Sequence, residues 1–142
     1  MDTDKKDLTA KRRFVGRAPG RIDLMGGNAN YTGGLVLQAT TSEGTWATVE
    51  LREDREIAFF NPQMREIGWE DQAAFSIDDL TGAERVRQLA AAPGLRWTAY
   101  ALGAFFLLKE WFPDRVTCGA NIQVKSEIPI GKGAGSSAAL VV

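Results

Sequence analysis

A glycine-rich loop near the C-terminal end constrains the fold of this chain more than any other feature. Residues 131–140 read Gly-Lys-Gly-Ala-Gly-Ser-Ser-Ala-Ala-Leu. Alternating glycines that lead through Ser136 and Ser137 into good helix formers favour a strand–loop–helix connection. In such a connection, free backbone N–H groups and the positive end of the helix dipole point at one spot. The segment therefore predicts an anion site, for which phosphate is the natural ligand.

This segment alone leaves a second interpretation open, in which the loop only connects a strand to a helix. It is not a P-loop, because Lys132 lies between Gly131 and Gly133 and not after the last glycine. It does not fit the dinucleotide-binding fingerprint either. A second glycine-rich stretch, residues 26–34, contains four glycines and two asparagines. That stretch is a long turn or a loop that approaches a ligand closely.

Composition excludes several classes of function. The chain has 142 residues, 17 basic and 18 acidic, and a net charge of −1, which predicts one soluble domain without the one-signed surface that nucleic acid requires. The absence of histidine excludes His-based zinc sites and Ser-His or Cys-His pairs, and the single Cys118 excludes an internal disulfide. No signal peptide is recognisable, and the apolar run 99–108 is too short for a membrane span. We therefore expect a cytoplasmic protein with no nucleic-acid or membrane partner.

Periodicity predicts a mixture of strands and helices. The expected strands cover residues 14–18, 21–25, 35–40, 45–51, 56–60 and 116–124, with turns at Pro19-Gly20 and at 42–44. The first five form an antiparallel meander, and the last places Ala120, Ile122 and Val124 on one face. The expected helices cover residues 78–92 and 97–111, and a third starts at Ser136-Ser137. In the second helix, Trp97, Ala101, Phe105 and Leu108 form the face that enters the core.

Three segments together resemble the GHMP kinases. Residues 129–139 resemble the nucleotide-phosphate motif of that superfamily. Residues 18–38 look like the sugar-binding signature of galactokinases, and Trp97 and Tyr100 match a Trp-x-x-Tyr element close to the adenine. The resemblance covers residues 14–142, after a polar tail over residues 1–13. It implies an α+β fold, the N-terminal GHMP kinase domain similar to ribosomal protein S5 domain 2, here in truncated form.

The resemblance also implies a function and a set of site residues. The function is that of an ATP-dependent sugar 1-kinase with ATP and Mg²⁺ as cofactors and a small-molecule sugar as substrate. Arg21 would be the catalytic arginine beside the sugar hydroxyl and the transferring phosphate. The residues that would contact the sugar are Arg21, Gly27, Asn28, Asn30 and Tyr31. Those that would contact ATP are Trp97, Tyr100, Pro129, Gly131, Lys132, Gly133, Gly135, Ser136 and Ser137, with Ser137 as the Mg²⁺ ligand.

The sequence departs from galactokinases in the sugar-binding signature. Galactokinases have Glu-His where this chain has Gly27-Asn28, and Asp where it has Asn30. These changes alter the pattern of hydrogen-bond donors and acceptors. At other positions of the motifs, the residues are closer to those of L-arabinokinases. We therefore expect a sugar that is not specifically galactose, and we expect Asp23 to be a surface or supporting acid.

In the superfamily, an aspartate downstream of the phosphate loop acts as the base. That position would lie beyond Val142, so we expect residues 1–142 alone to be inactive. Two alternatives keep the fold. One is a non-catalytic regulator that binds sugar and ATP, and the other is a GHMP kinase for a non-sugar alcohol. The oligomeric state is left open.

Overall fold

A computed structural model of the chain describes residues 13–129 and 133–141, and of Asn30 only the backbone. The strands in this part are β1 (Arg13–Met25), β2 (Leu37–Leu51), β3 (Glu56–Phe60), β4 (Gln72–Ser76) and β5 (Ala120–Ser126). The α-helices are α1 (Ala83–Ala90), α2 (Thr98–Trp111) and α3 (Ser136–Val141). Short 3-10 helices cover Gly27–Thr32, Pro62–Ile67 and Ile77–Asp79.

One sheet with the strand order β1-β2-β5-β3-β4 forms the centre of the fold. The mixed α and β content is therefore confirmed, but the predicted antiparallel meander is wrong at Glu56–Phe60, because β5 lies between β2 and β3. β3 pairs with β5 in parallel, while the other pairs of neighbouring strands are antiparallel. β4 was not predicted. The local pattern could not show this arrangement, because β3 takes its partner from a distant part of the chain.

The first two strands are long and bend together, so the turns predicted at Pro19-Gly20 and at residues 42–44 are wrong. Pro19 pairs with Gly44 and Arg21 pairs with Thr40, with a register shift between the two pairs. β2 thus has extra residues opposite Gly20, which bends the ribbon without ending either strand. Proline is tolerated in β1 because β1 is an edge strand of this sheet.

The helices cover one face of the sheet and form the main core. The predicted apolar face of β5 is confirmed, since Ala120, Ile122 and Val124 are all buried in this core. In α2 the buried stripe differs from the prediction, because Leu102 is fully buried whereas Leu108 is 44% exposed. Trp97 is buried just before the helix, and Ala101 and Phe105 pack partly against the core, as predicted.

The helix predicted over residues 78–92 is shorter than expected. Its start belongs to the 3-10 turn Ile77–Asp79, where the side chain of Ser76 accepts a hydrogen bond from the N–H of Asp78. α1 itself begins only at Ala83. A side-chain cap therefore competed with the helical pattern at this point. No helix in the described residues is long and apolar enough to cross a membrane.

Candidate functional site

The glycine-rich loop after β5 is seated on the bend of β1. The N–H of Arg21 donates to the carbonyl of Ala134 at 3.0 Å. A Cβ added to Gly20 would lie 3.0 Å from that same carbonyl oxygen. A regular strand directs residues 20 and 21 to opposite faces, yet both approach the loop because the register shifts between Pro19 and Arg21. The structure thus joins two of the three segments that carried the resemblance, residues 18–38 and the loop before α3.

The backbone of the loop needs glycine at two described positions. Gly133 has φ +73° and Gly135 has φ +72°, in the left-handed region that other residues rarely enter. A small apolar cluster of Ala18, Ile128 and Ala139 holds the two ends of the loop against β1. Of the other predicted loop residues, Pro129 is exposed, while Gly131 and Lys132 lie outside the described residues.

A mainly apolar cavity of about 600 Å³ opens beside the loop. Its volume is in the usual range for a small-molecule site. Four residues predicted to bind ATP line it together: Trp97, Tyr100, Ser136 and Ser137. The rest of the lining was not predicted and consists of Thr45, Asn61, Met64, Trp69, Arg87, Ala90, Ala91, Arg96, Ala99, Val124, Ser126 and Leu140.

The two predicted aromatic residues have different positions in the cavity. Trp97 is only 6% exposed; its Nε1–H donates to the carbonyl of Glu70 at 2.8 Å. Its ring meets that of Phe59 edge to face, with 6.1 Å between the centroids. Tyr100, one turn further along α2, is 49% exposed. Trp97 is therefore a fixed wall, and Tyr100 is free to contact a ligand at the rim.

A polar network that the sequence did not reveal connects the cavity to the start of the loop. The side-chain amide of Gln63 donates to the carbonyl of Ser126 at 2.6 Å, and it accepts from the N–H of Ser126 at 2.7 Å. The hydroxyls of Thr45 and Ser126 form a hydrogen bond of 2.8 Å. Asn61, which lines the cavity, caps the 3-10 turn that carries Gln63. The Asn-Pro pair at 61–62 was the one local signal for this turn.

The second glycine-rich stretch forms a 3-10 turn over Gly27–Thr32. Gly26 and Gly27 both have positive φ, and a Cβ at Gly26 would lie 2.7 Å from the carbonyl oxygen of Leu35. Asn28 is exposed and Tyr31 is 83% exposed. Among the described contacts, no hydrogen bond or ion pair joins either side chain to Arg21. Their role in sugar binding, like that of Gly27 and Asn30, stays a prediction.

The strongest pKa shifts in the described residues occur outside the lining of this cavity. The hydrogen bond from Arg52 lowers the pKa of Asp54 to about 2. In the same way, the hydrogen bond from Arg55 lowers the pKa of Asp78. Both are exposed ion pairs beside the ends of strands.

Two family models match the chain. The galactokinase galactose-binding signature matches residues 5–51, and the GHMP kinases N-terminal domain matches residues 99–142. A galactokinase of Ligilactobacillus salivarius is 33% identical over 123 residues, which are 87% of this chain and 28% of that protein. An L-arabinokinase of Arabidopsis thaliana is 29% identical over an alignment that covers 91% of this chain and 15% of that protein.

Solved structures give the same result for the fold. Galactokinase of Lactococcus lactis, solved in complex with galactose, matches with a TM-score of 0.73 and 27% identity, over 92% of this chain and 30% of that one. Mevalonate kinase of Methanococcus jannaschii matches with a TM-score of 0.72 and 16% identity, over 92% of this chain and 37% of that one. This chain spans less than a third of the galactokinases it matches. From these matches, the chain belongs to the GHMP kinase superfamily, as a relative of the N-terminal part of galactokinases and L-arabinokinase.

Proposed function

We propose that this chain forms the nucleotide- and sugar-binding N-terminal part of an ATP-dependent sugar kinase. The reaction would transfer the γ-phosphate of ATP to the anomeric hydroxyl of a sugar. One observation carries the proposal: the hydrogen bond from the N–H of Arg21 to the carbonyl of Ala134. It ties the segment that resembles a sugar signature to the segment that resembles a phosphate loop, so a sugar and a phosphate bound there would be neighbours.

In this proposal, the cavity would hold the nucleotide. Its apolar walls suit a nucleobase, with Trp97 as a rigid wall and Tyr100 at the rim. Ser136 and Ser137 line the same cavity and begin the helix that follows the loop. The triphosphate would then run from the cavity along Gly133 and Gly135 towards Arg21. Burial of an aromatic base in an apolar cleft and contact of phosphates with backbone N–H groups are the usual division of roles in such sites.

Arg21 would supply the fixed positive charge at the reacting end. Its side chain is 46% exposed, so a ligand can reach the guanidinium. Negative charge spreads over the transferring phosphoryl group in the transition state, and a positioned arginine stabilises that charge. The hydroxyls of Ser136 and Ser137 are hard oxygen ligands that fit a phosphate-bound Mg²⁺. When bound, that ion would neutralise charge on the phosphates.

The base would come from outside residues 1–142. In the family, the proton acceptor is an aspartate downstream of the phosphate loop. The alignment with the galactokinase of Ligilactobacillus salivarius covers only 28% of that protein. We therefore propose that residues 1–142 bind ATP without transferring phosphate. We do not restrict the sugar to galactose, because Gly27, Asn28 and Asn30 differ from the galactokinase pattern and the relatives include an L-arabinokinase as well as galactokinases.

The test is turnover by the complete product of the gene that encodes this chain. ATP consumption is measured with L-arabinose, galactose and glucuronate in turn, and the product is analysed for phosphate at the anomeric carbon. Arg21→Ala should lower kcat by about 10²- to 10³-fold, the usual cost of one transition-state donor.

Arg17→Ala is the matched control. Arg17 lies on the same strand, but its guanidinium stacks on Trp46 at 5.1 Å and donates to the carbonyl of Ser42. The control should keep kcat within about twofold, since the described contacts of this side chain lie outside the proposed site. If the protein binds sugar and ATP without turnover, the proposal of a kinase fails and a regulator of the same fold is the function supported. Turnover of non-sugar alcohols alone would contradict the sugar assignment.

A further inference from the structure

The part of β1 that carries Arg21 is a short ladder between two irregularities. Arg21, Ile22 and Asp23 pair with Thr40, Ala39 and Gln38 of β2, and the register shifts on either side of this ladder. Residues two apart on a strand share one face. Arg21 and Asp23 therefore lie on the same face, whereas Ile22 lies on the other. The Cβ of Arg21 lies on the side of the loop, 3.3 Å from where a Cβ of Gly135 would be.

Two side-chain contacts link this ladder to Arg21. The Nε2–H of Gln38 donates to Oδ1 of Asp23 at 2.6 Å, a short, charge-assisted hydrogen bond. The same Oδ1 atom lies 3.9 Å from Nε of Arg21. Gln38 thus restrains the carboxylate of Asp23, and that carboxylate attracts one edge of the guanidinium. The N–H of Arg21 is bonded to Ala134, so the backbone of this arginine is fixed, while the carboxylate of Asp23 attracts its side chain from a distance too long for a hydrogen bond.

We propose that Asp23 and Gln38 are positioning residues for Arg21. They hold its Nε edge and leave the two Nη groups for the transferring phosphate. This inference rests on the proposed function, in which Arg21 is the catalytic arginine. An arginine side chain has many rotamers, and restraining it before the reaction removes an ordering cost from the chemical step. Asp23 and Gln38 are cross-strand partners, so the geometry is set by the register of the sheet and not by flexible side chains alone.

Kinetics of the complete gene product test this role. Gln38→Leu and Asp23→Asn should each lower kcat by about tenfold or more, while KM for ATP and for the sugar changes by less than about threefold, because the ligands' own contacts remain. Gln123→Leu is the matched control, since Gln123 is an exposed glutamine on β5 that stands outside the proposed site. In an Arg21→Ala background, Gln38→Leu should cost nothing more.

The pH dependence separates positioning from a general loss of structure. Gln38→Glu would place a second carboxylate against Asp23. Two such acids repel when both are ionised, whereas a shared proton restores the hydrogen bond. The kcat of Gln38→Glu relative to the unaltered protein should therefore rise as the pH is lowered, and that of Gln38→Leu should stay flat. Equal kcat values for Gln38→Leu and Gln123→Leu, or a fall of Gln38→Glu at low pH, would overturn the inference.

A failure of the proposed function can be told apart from a failure of this inference. If the unaltered protein phosphorylates no sugar, the proposed function fails. NMR on the 142-residue chain then tests separately whether Gln38 and Asp23 position Arg21. The Nε chemical shift of Arg21 should be the same in the unaltered chain and in Gln123→Leu. It should change in Gln38→Leu and in Asp23→Asn, because the carboxylate 3.9 Å from Nε is released or removed. The same signal in all four proteins would refute the link between Gln38, Asp23 and Arg21.

Discussion

Replacing Gly135 by alanine should damage the fold and ATP binding more than the same change at Gly133. The two glycines have nearly the same left-handed backbone, with φ of +72° and +73°. An alanine in that conformation costs about 1–2 kcal/mol, and both variants carry this cost. The pair therefore separates backbone strain from the effect of the surroundings, because the surroundings of the two positions differ.

The difference lies in the contact with Arg21. A Cβ at position 135 would lie 3.3 Å from the Cβ of Arg21 and 3.5 Å from its N atom, whereas one at Gly133 has no described atom within 4 Å. The first distance is tight for two carbon atoms, so the loop or β1 must shift, at a cost of about 1 kcal/mol. That shift strains the hydrogen bond from Arg21 to Ala134. We expect a loss of about 1–2 kcal/mol for Gly133→Ala and about 2–3 kcal/mol for Gly135→Ala.

Urea unfolding of the 142-residue chain, followed by tryptophan fluorescence, measures the free energies of unfolding. Isothermal titration with ATP measures the affinities, which should fall about fivefold more for Gly135→Ala than for Gly133→Ala, the equivalent of about 1 kcal/mol. Equal losses in both quantities would refute the idea that the loop is seated on Arg21. A larger loss for Gly133→Ala would refute it as well.

Three further predictions concern the surroundings of the site. Gln63→Leu removes both hydrogen bonds to Ser126 and should lower the free energy of unfolding by about 2 kcal/mol and weaken ATP binding; unchanged ATP affinity in titrations would contradict this. Gly119→Ala would drive a Cβ into the carbonyl of Glu56, so soluble expression should fall sharply. A urea midpoint near that of the unaltered chain would contradict this prediction. The pKa of Asp54 is lowered from 3.8 to about 2, so its stabilising effect is present above pH 3.8 and is lost as the pH falls towards 2. Asp54→Asn should therefore make the melting temperature less dependent on pH between these values. The same slope of melting temperature against pH in the variant and in the unaltered chain would contradict this prediction.

Much of the local structure could be predicted from the chain itself. The strand Glu56–Phe60 has the predicted bounds, and the helix after the loop begins at Ser136 as expected. The alternation of Ala120, Ile122 and Val124 marked the buried face of β5. These features follow from side-chain period and from backbone preferences, which act between near neighbours. The family resemblance, which two family models and several relatives confirm, likewise rests on contiguous motifs.

The errors of prediction concern pairing between distant segments and, at one place, a local side-chain cap. A proline and a glycine at 19–20 normally indicate a turn, but here β2 bends with β1 and keeps the strand paired through a register shift. The stretch 78–92 has helical spacing, but its first residues are held in a 3-10 turn that Ser76 caps. The parallel pairing of β3 with β5 leaves no local signal, since both edges of a strand look alike in sequence.

The candidate site divides in the same way. The sequence by itself determined which groups are available: the glycines whose left-handed backbone lets the loop form, the two serines after them, Arg21, and the aromatic pair at 97 and 100. Only the tertiary structure decided that these groups meet. The contact between Arg21 and the loop, the link from Gln63 to Ser126, and the chain from Gln38 through Asp23 each depend on strand register and on burial of a shared core. Such contacts exist only after distant segments have packed, because the free energy that brings them together comes from apolar burial and not from local preference.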